Sequence, residues 1–184
     1  HHPVDTKALI RGVEIFRDDG LYAVRIRQVD KKVHARAGAG KIYRYTIIDG
    51  CEQSEQSSDG FAWTITPTLN LERMREAAAY LVGEQDFSSL RGGGCQAGTT
   101  VKHMYAITIA RINNNLVTIE ISGQSFLRRM IRNMVGLLVE IGAGLRDPLC
   151  VPAILAEKNR LAAGIMAPAQ GLLLMRVLIE HGLD

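Results

Sequence analysis

The feature that most constrains the fold is a segment, beginning at Gly123, that is apolar on one side and basic on the other. At about 100° of rotation per residue, a helix over Ser125–Ile141 would gather its large apolar side chains on one side: Phe126, Leu127, Met130, Ile131, Met134, Leu137, Leu138 and Ile141. The opposite side would carry Arg128, Arg129, Arg132 and Asn133. Arg132 would lie at the border of the core, a position that suits a fixed cation. The alternative is an ordinary amphipathic helix with solvated arginines.

Composition places the chain among globular proteins. Its 184 residues are 47% hydrophobic, enough to bury a core as one domain or as two small halves. The formal net charge of +3 permits a nucleic-acid partner without requiring one. No apolar run approaches the roughly 20 residues of a membrane-spanning helix, since Gly136 and Glu140 interrupt the run from Met134 to Ile141. We therefore expect no membrane partner.

The three cysteines, Cys51, Cys95 and Cys150, are far apart in the sequence. Their spacing fits neither a metal-binding motif nor an even set of disulfides. We therefore predict no metal site and a reduced compartment, which is the cytoplasm unless the protein is nuclear or organellar.

The pattern of apolar residues predicts an α+β fold between residues 41 and 184. The predicted elements are a strand over Lys41–Ile48, a helix capped by Asn70 and stopped by Gly83, a hairpin of Tyr105–Ala110 and Leu116–Ile121, the arginine-bordered helix, a short helix over Val151–Glu157 and a strand over Leu172–Ile179. The order β-α-β-β-α-β is that of a ferredoxin-like unit, an antiparallel sheet with helices on one face.

The first forty residues predict the end of a second such unit. Thr6–Gly12 has the pattern of a short helix, and Leu21–Val29 has that of a strand. We therefore divide the chain into residues 1–40, the remnant of an N-terminal half, and residues 41–184, a C-terminal ferredoxin-like half.

Four groups of residues, in one order along nearly the whole chain, carry a family resemblance. They are His34-Ala35-Arg36 with Tyr43-Arg44-Tyr45, Leu81-x-Gly83-x-x-Asp86-Phe87 with Arg91, Gly123-x-x-Phe126-x-x-x-Met130-Ile131-Arg132-Asn133-x-Val135-Gly136, and Ala167-Pro168-x-x-Gly171-Leu172-x-Leu174. Together they resemble the TruA family of tRNA pseudouridine synthases. The resemblance implies a catalytic domain of two ferredoxin-like halves sharing one sheet. It also implies tRNA as the substrate, with target uridines in the anticodon stem-loop, no cofactor or metal, and a homodimer.

The resemblance also implies roles for individual residues. Arg132 would form an ion pair with the catalytic aspartate, since a guanidinium stays charged and can hold both carboxylate oxygens. Tyr43 would stack on a uracil flipped out of the RNA, and Leu172 would form the floor of the uracil pocket. Judged from the residues alone, Tyr43 could instead pack in the sheet, and Leu172 could be a core leucine.

Basic residues near these motifs are candidates for contacts with tRNA phosphates, because family members grip tRNA by its backbone and shape. The candidates are His34, Arg36, Lys41, Arg128 and Arg129. Each one alone could be an ordinary surface residue. We expect Tyr45 to have a packing role, and Asp86 and Phe87 to shape a loop near the site.

One family signature is absent from the sequence. Family members carry the catalytic aspartate in an Arg-Thr-Asp-x-Gly-Val type segment, and no aspartate of this chain has that context. The chain is therefore interpreted as the C-terminal two thirds of a synthase, a fragment that is inactive by itself. Two alternatives stay open: a non-catalytic RNA-binding relative, and a ferredoxin-like interaction module without a role in RNA.

Overall fold

The structure, a computed structural model, describes residues 5–14, 26, 38–51 and 60–179. The chain divides into two compact units, His1–Ala37 and Gly38–Asp184. In the first unit, helix α1 (Thr6–Glu14) confirms the predicted short helix. The Asp5 carboxylate caps α1 by accepting hydrogen bonds from the backbone N–H groups of Lys7 and Ala8.

Three predictions for the first unit lie outside the described residues. They are the strand over Leu21–Val29, of which only Ile26 is described, and the two candidate phosphate contacts His34 and Arg36.

The second unit consists of six strands and three α-helices among the described residues. These are β1 (Gly40–Ile48), β2 (Trp63–Thr64), α2 (Leu71–Ala79), β3 (Gly83–Asp86), β4 (Val101–Arg111), β5 (Leu116–Gly123), α3 (Met130–Gly142), α4 (Cys150–Glu157) and β6 (Leu172–Leu178). Short 3₁₀ turns cover Ser88–Leu90 and Arg160–Ala163. As predicted, the side chain of Asn70 caps α2, accepting hydrogen bonds from the N–H groups of Glu72 and Arg73.

The sheet has the strand order of the predicted unit. Strands β6, β1, β5 and β4 lie side by side and are all antiparallel to their neighbours. Two short strands extend the sheet beyond the prediction: β2 runs parallel to β1, and β3 pairs with β4 at the edge. They were missed because two and four residues are too few to show a period of two.

One face of the sheet carries the core. Alternate residues of β1 and β5 are fully buried there: Tyr45, Ile47, Val117, Ile119 and Ile121. Helices α2 and α3 meet where Gly142 approaches the Met74 side chain, whose sulfur would lie 2.7 Å from a Cβ at residue 142. The other face is half-buried and polar, as expected of an antiparallel sheet with helices on one side.

Helix α3 corrects two details of the sequence analysis. It begins at Met130 rather than Ser125, because Arg129 has a left-handed backbone with a φ of 62°. The residues before it are bonded to the glycine-rich loop instead: Gly92 N–H donates to the Arg128 carbonyl at 2.8 Å. Asn133, which was placed on the polar side, is fully buried and donates to the Leu90 carbonyl at 2.7 Å. The loop before Arg91 therefore covers α3 at Asn133.

A buried ion pair joins the far ends of β1 and β4. The Asp49 carboxylate accepts two hydrogen bonds of 2.7 Å from the Arg111 guanidinium and a third of 2.7 Å from the Leu69 N–H. Burial alone would raise the pKa of Asp49, but the hydrogen bonds from Arg111 and Leu69 outweigh it and hold the pKa below the ordinary value of 3.8. The pair thus stabilises the fold in its charged form.

We predict that Asp49→Asn lowers the free energy of unfolding at pH 7 by about 3–5 kcal/mol, because it leaves the Arg111 charge without its partner. The folded-state pKa of Asp49 is depressed, so its contribution is complete above the ordinary carboxyl pKa and is lost as the pH falls through the folded-state value. Urea unfolding of the wild type and of Asp49→Asn from pH 7 to pH 3 should show the difference between their free energies of unfolding narrowing toward pH 3.

Glu120→Gln is the matched control. Glu120 pairs with Arg44 across the exposed sheet face, where both side chains are about 40% accessible. That change should alter the free energy of unfolding by less than about 1 kcal/mol at every pH. Equal losses for the two variants would contradict the role given to Asp49.

Candidate active site

A cavity of about 260 Å³ lies between β1, the turn before α3, the first turn of α3 and the start of β6. Its lining residues are Lys41, Tyr43, Phe126, Leu127, Arg128, Arg129, Met130, Ile131, Arg132 and Leu172. Six of the eight residues predicted for the site are among them: Arg132, Tyr43, Leu172, Lys41, Arg128 and Arg129. His34 and Arg36, the other two, lie outside the described residues. Elements separated by more than 100 positions in sequence thus bring the predicted residues together.

Arg132 lies on the first turn of α3 and is half-buried. Its Nε donates a hydrogen bond of 2.7 Å to the Ala167 carbonyl, and the Ala167 N–H donates to the Arg132 carbonyl at 3.0 Å. No described carboxylate lies within 4.0 Å of the guanidinium. Its two terminal nitrogens donate no hydrogen bond to any of the described residues. They are suitable donors for an anionic ligand.

Gly136 explains how the Ala167 segment comes so close to α3. A Cβ at this position would overlap the carbonyl oxygen of Ile165 and would lie 3.3 Å from the Ala167 nitrogen. Only glycine leaves room for backbone to lie directly against the helix here. The glycine in the middle of an apolar helix thus sets the position of the Arg132 partner.

Tyr43 stands on β1 with its ring half-buried in the cavity wall. Phe126 meets it edge to face, with ring centroids 5.3 Å apart and planes inclined by 83°. Burial raises the pKa of the Tyr43 phenol, so the hydroxyl is neutral at physiological pH. The sequence analysis placed Phe126 in the helix. Because α3 begins only at Met130, Phe126 lies in the turn before the helix and contacts Tyr43 from there.

Tyr45, two residues along β1, is fully buried, in agreement with the expected packing role. Its hydroxyl donates a hydrogen bond of 2.7 Å to the Pro168 carbonyl. The ring lies on the backbone of Gly171, where a Cβ would come within 2.6 Å of the ring carbons. Tyr45 thus joins β1 to the chain that leads into Leu172.

The arginines at the cavity mouth are exposed, and one is partly engaged. Arg128 Nη1 makes long hydrogen bonds of 3.3 and 3.4 Å to the carbonyls of Gly93 and Gly94. Arg129 is exposed, and Lys41 is half-buried. Two guanidinium groups and an ammonium around one opening attract anions.

Cys95 lies beside this basic mouth. Its sulfur accepts a hydrogen bond of 3.4 Å from the Arg128 N–H, and this bond is the main cause that lowers the pKa of the thiol. The thiol belongs to the same loop contact that shapes the turn before α3.

Asp86 is held away from the cavity in a separate ion pair. Its carboxylate accepts hydrogen bonds from Ser88 and lies 2.9 Å from Lys158 Nζ. The Ser88 hydroxyl, then Lys158 and Thr100, hold the pKa of Asp86 well below its usual range. A larger cavity of about 510 Å³ next to this pair contains none of the predicted site residues. Because the carboxylate is fully engaged, the arrangement fits the expected role in loop structure.

Among residues 5–14, 26, 38–51 and 60–179, no group of three His, Cys, Asp or Glu side chains is arranged to hold a metal ion. None of the helices described is both long enough and apolar enough to cross a membrane.

Comparison with known proteins identifies relatives of this chain. A family model described as tRNA pseudouridine synthase matches residues 77–178, which include Arg132 and Leu172. The chain is 45% identical over 145 residues to tRNA pseudouridine synthase A of Syntrophotalea carbinolica, covering 78% of this chain and 57% of the relative. The corresponding protein of Methylococcus capsulatus is 39% identical over 150 residues, covering 81% and 55%.

A third relative is matched over more of its length. The tRNA pseudouridine synthase A of Pseudothermotoga lettingae is 34% identical over 175 residues, which cover 95% of this chain and 71% of the relative. The chain thus spans slightly more than half the length of the first two relatives and about 71% of the third.

Proposed function

This chain belongs to the tRNA pseudouridine synthase family, and from that premise we propose that it forms one side of an active site that converts uridine to pseudouridine in tRNA. The observation that carries the proposal is the meeting of Arg132, Tyr43 and Leu172 around one cavity with a basic mouth. Those three residues come from different elements, and they are the ones that the family resemblance singles out.

In the proposed reaction, the bond between C1′ of the ribose and N1 of uracil breaks and a bond between C1′ and C5 forms. C5 then loses its proton and N1 gains one, so the product is an isomer of uridine. The target nucleotide leaves the base stack before this happens. A carboxylate from outside this sequence, in the Arg-Thr-Asp-x-Gly-Val type of segment, supplies the catalytic group. No step calls for a metal or a cofactor.

Arg132 binds that carboxylate in the proposed site. Since its Nε is already bonded to the Ala167 carbonyl, the two terminal nitrogens are the donors left for the carboxylate. They would meet its two oxygens end-on through parallel hydrogen bonds. The paired cation keeps the carboxylate ionised and directs it into the cavity.

Tyr43 and Leu172 bind the base. Stacking of a base on an aromatic ring contributes about 1–3 kcal/mol, and the edge contact from Phe126 limits how far the Tyr43 ring can turn. Leu172 adds an apolar surface at the start of β6. Lys41, Arg128 and Arg129, with His34 and Arg36, bind neighbouring phosphates. A tRNA substrate also supports the cytoplasmic location that the cysteines predict.

We predict that Arg132→Lys, made in a protein that contains the aspartate segment, lowers the single-turnover rate of pseudouridine formation by about 100-fold, because one ammonium cannot hold two oxygens in the same plane. The free energy of unfolding should fall by only about 1 kcal/mol, the worth of the bond to Ala167. Rapid-quench assays and urea melts of the same samples measure both.

Arg44→Lys is the control for that experiment, because Arg44 lies on β1 but faces Glu120 on the polar side of the sheet. It should react at the wild-type rate. Near-normal turnover by Arg132→Lys would contradict the ion pair. Wild-type protein that binds tRNA without turnover would instead favour a non-catalytic RNA-binding relative, and no binding even at low salt would favour an interaction module.

We predict that Tyr43→Phe retains tRNA affinity, whereas Tyr43→Ala weakens engagement of the flipped base by about 10-fold, since the ring face provides the stacking. Fluorescence of 2-aminopurine placed next to the target uridine reports base flipping separately from overall binding. Tyr80→Ala is a useful control, because Tyr80 is also a half-buried tyrosine but does not line this cavity. If Tyr43→Ala flips the base as well as wild type, Tyr43 has only a packing role.

We also propose that the protein forms homodimers, with β6 in the contact. Among the described strands, β6 pairs only with β1, and its residues Leu173, Leu174 and Met175 are 42–57% exposed. Exposed apolar side chains grouped in this way favour association. Light scattering across a dilution series should show a mass that falls with dilution, and Leu173→Glu should shift it toward the monomer. Leu161→Glu, at an exposed leucine outside β6, should not.

A further inference from the structure

The buried hydroxyl of Tyr45 is a polar group in the apolar core. The side chain is fully buried, packs edge to face with Trp63 and would fill the same space as phenylalanine. A buried hydroxyl costs free energy unless it is hydrogen-bonded, and this one donates its only proton to the Pro168 carbonyl. Packing accounts for the ring, but not for the hydroxyl.

The bond from Tyr45 lies next to the bond that holds Arg132. The carbonyls of Ala167 and Pro168 are consecutive along the chain; the first accepts from Arg132 Nε and the second from the Tyr45 hydroxyl. Arg132 belongs to α3 and Tyr45 to β1, so two elements hold one dipeptide from two sides. Proline has no N–H, which leaves its carbonyl as the backbone group by which it can be held.

Two glycines confine the path of the dipeptide further. Before it, the carbonyl of Ile165 passes against Gly136 of α3; after it, Gly171 lies against the Tyr45 ring. Displacing Pro168 would therefore move the Ala167 carbonyl, because the backbone between the two close approaches is short. Burial raises the pKa of the Tyr45 phenol, and the positive charge of Arg132 lowers it by a smaller amount, so the two groups lie within electrostatic reach of each other.

We propose that Tyr45 is a positioning residue for Arg132: by holding the Pro168 carbonyl it fixes the Ala167 carbonyl, which in turn fixes the direction of the guanidinium. The proposal rests on the function proposed above. Tyr45 touches neither substrate nor carboxylate; it acts through the Ala167-Pro168 dipeptide. The site thus needs a tyrosine at this position and not only an aromatic ring.

The first test needs no activity and uses the chain as it stands. In an NMR spectrum of ¹⁵N-arginine-labelled protein, the Arg132 Nε–H signal, assigned by its loss in Arg132→Lys, should exchange slowly with water. In Tyr45→Phe it should exchange at least 10-fold faster, since a shifted carbonyl no longer holds the proton. Tyr105→Phe removes a comparable bond, from Tyr105 to the Ala39 carbonyl at 2.6 Å, and should leave the signal unchanged. An unchanged signal in Tyr45→Phe would overturn the proposal.

The second test uses the protein with its aspartate segment. Tyr45→Phe should lower the single-turnover rate by about 10-fold with tRNA affinity unchanged, because a small misplacement of a catalytic group acts on the chemical step. In an Arg132→Lys background the same change should have no further effect, which is the signature of a residue that acts through Arg132. Additive losses, or a loss of affinity instead of rate, would refute the coupling. Wild-type protein without turnover would refute the proposed function, whereas the NMR result would still decide the positioning role.

Discussion

The site depends on one close contact between backbones, where the segment from Ile165 to Ala167 lies directly on helix α3. Gly136 makes that contact possible, since any side chain there would overlap the Ile165 carbonyl. The contact places Ala167 so that it exchanges two hydrogen bonds with Arg132. It also delivers the chain to the start of β6, where Leu172 lines the cavity. The lack of a side chain at residue 136 therefore helps to position both Arg132 and Leu172 at the cavity.

Two arginines at the edges of the core differ in their surroundings in a way that separates a structural role from the catalytic role proposed for Arg132. Arg111 is bonded through both terminal nitrogens to Asp49, and the same carboxylate also accepts from the backbone. Its charge is balanced, and each of its two terminal nitrogens donates two hydrogen bonds. Arg132 has only Nε engaged by the described residues. A half-buried cation left with unused donors gains little for the fold, but it provides a prepared site for a carboxylate, which is the arrangement that catalysis requires.

Much of the fold could be predicted, because apolar residues recur with the period of a strand or a helix in β1, α2, β4, β5 and β6. The start of α3 could not be predicted. Arg128 and Arg129 contact the glycine loop around Gly92, which is distant in sequence, and the local pattern of apolar residues does not reveal this contact. The site side chains came from the family resemblance, and the structure brings the described ones to one cavity. The roles of the Ala167 and Pro168 carbonyls were not predicted, because a pattern of side chains does not show which backbone carbonyls accept hydrogen bonds. Gly136, inside an otherwise apolar helix, was the available signal of a close approach.

The depth of each cation in the cavity decides how salt should act on it. Arg128 and Arg129 are exposed at the mouth, and contacts of that kind with phosphates weaken steeply as salt rises, because binding releases counterions. Arg132 is half-buried and held by Ala167, so a carboxylate paired with it is screened much less. In the proposed site, binding of tRNA and the chemical step would therefore respond differently to ionic strength. Rising salt would weaken the proposed phosphate contacts of Arg128 and Arg129 more than the proposed pair between Arg132 and a carboxylate.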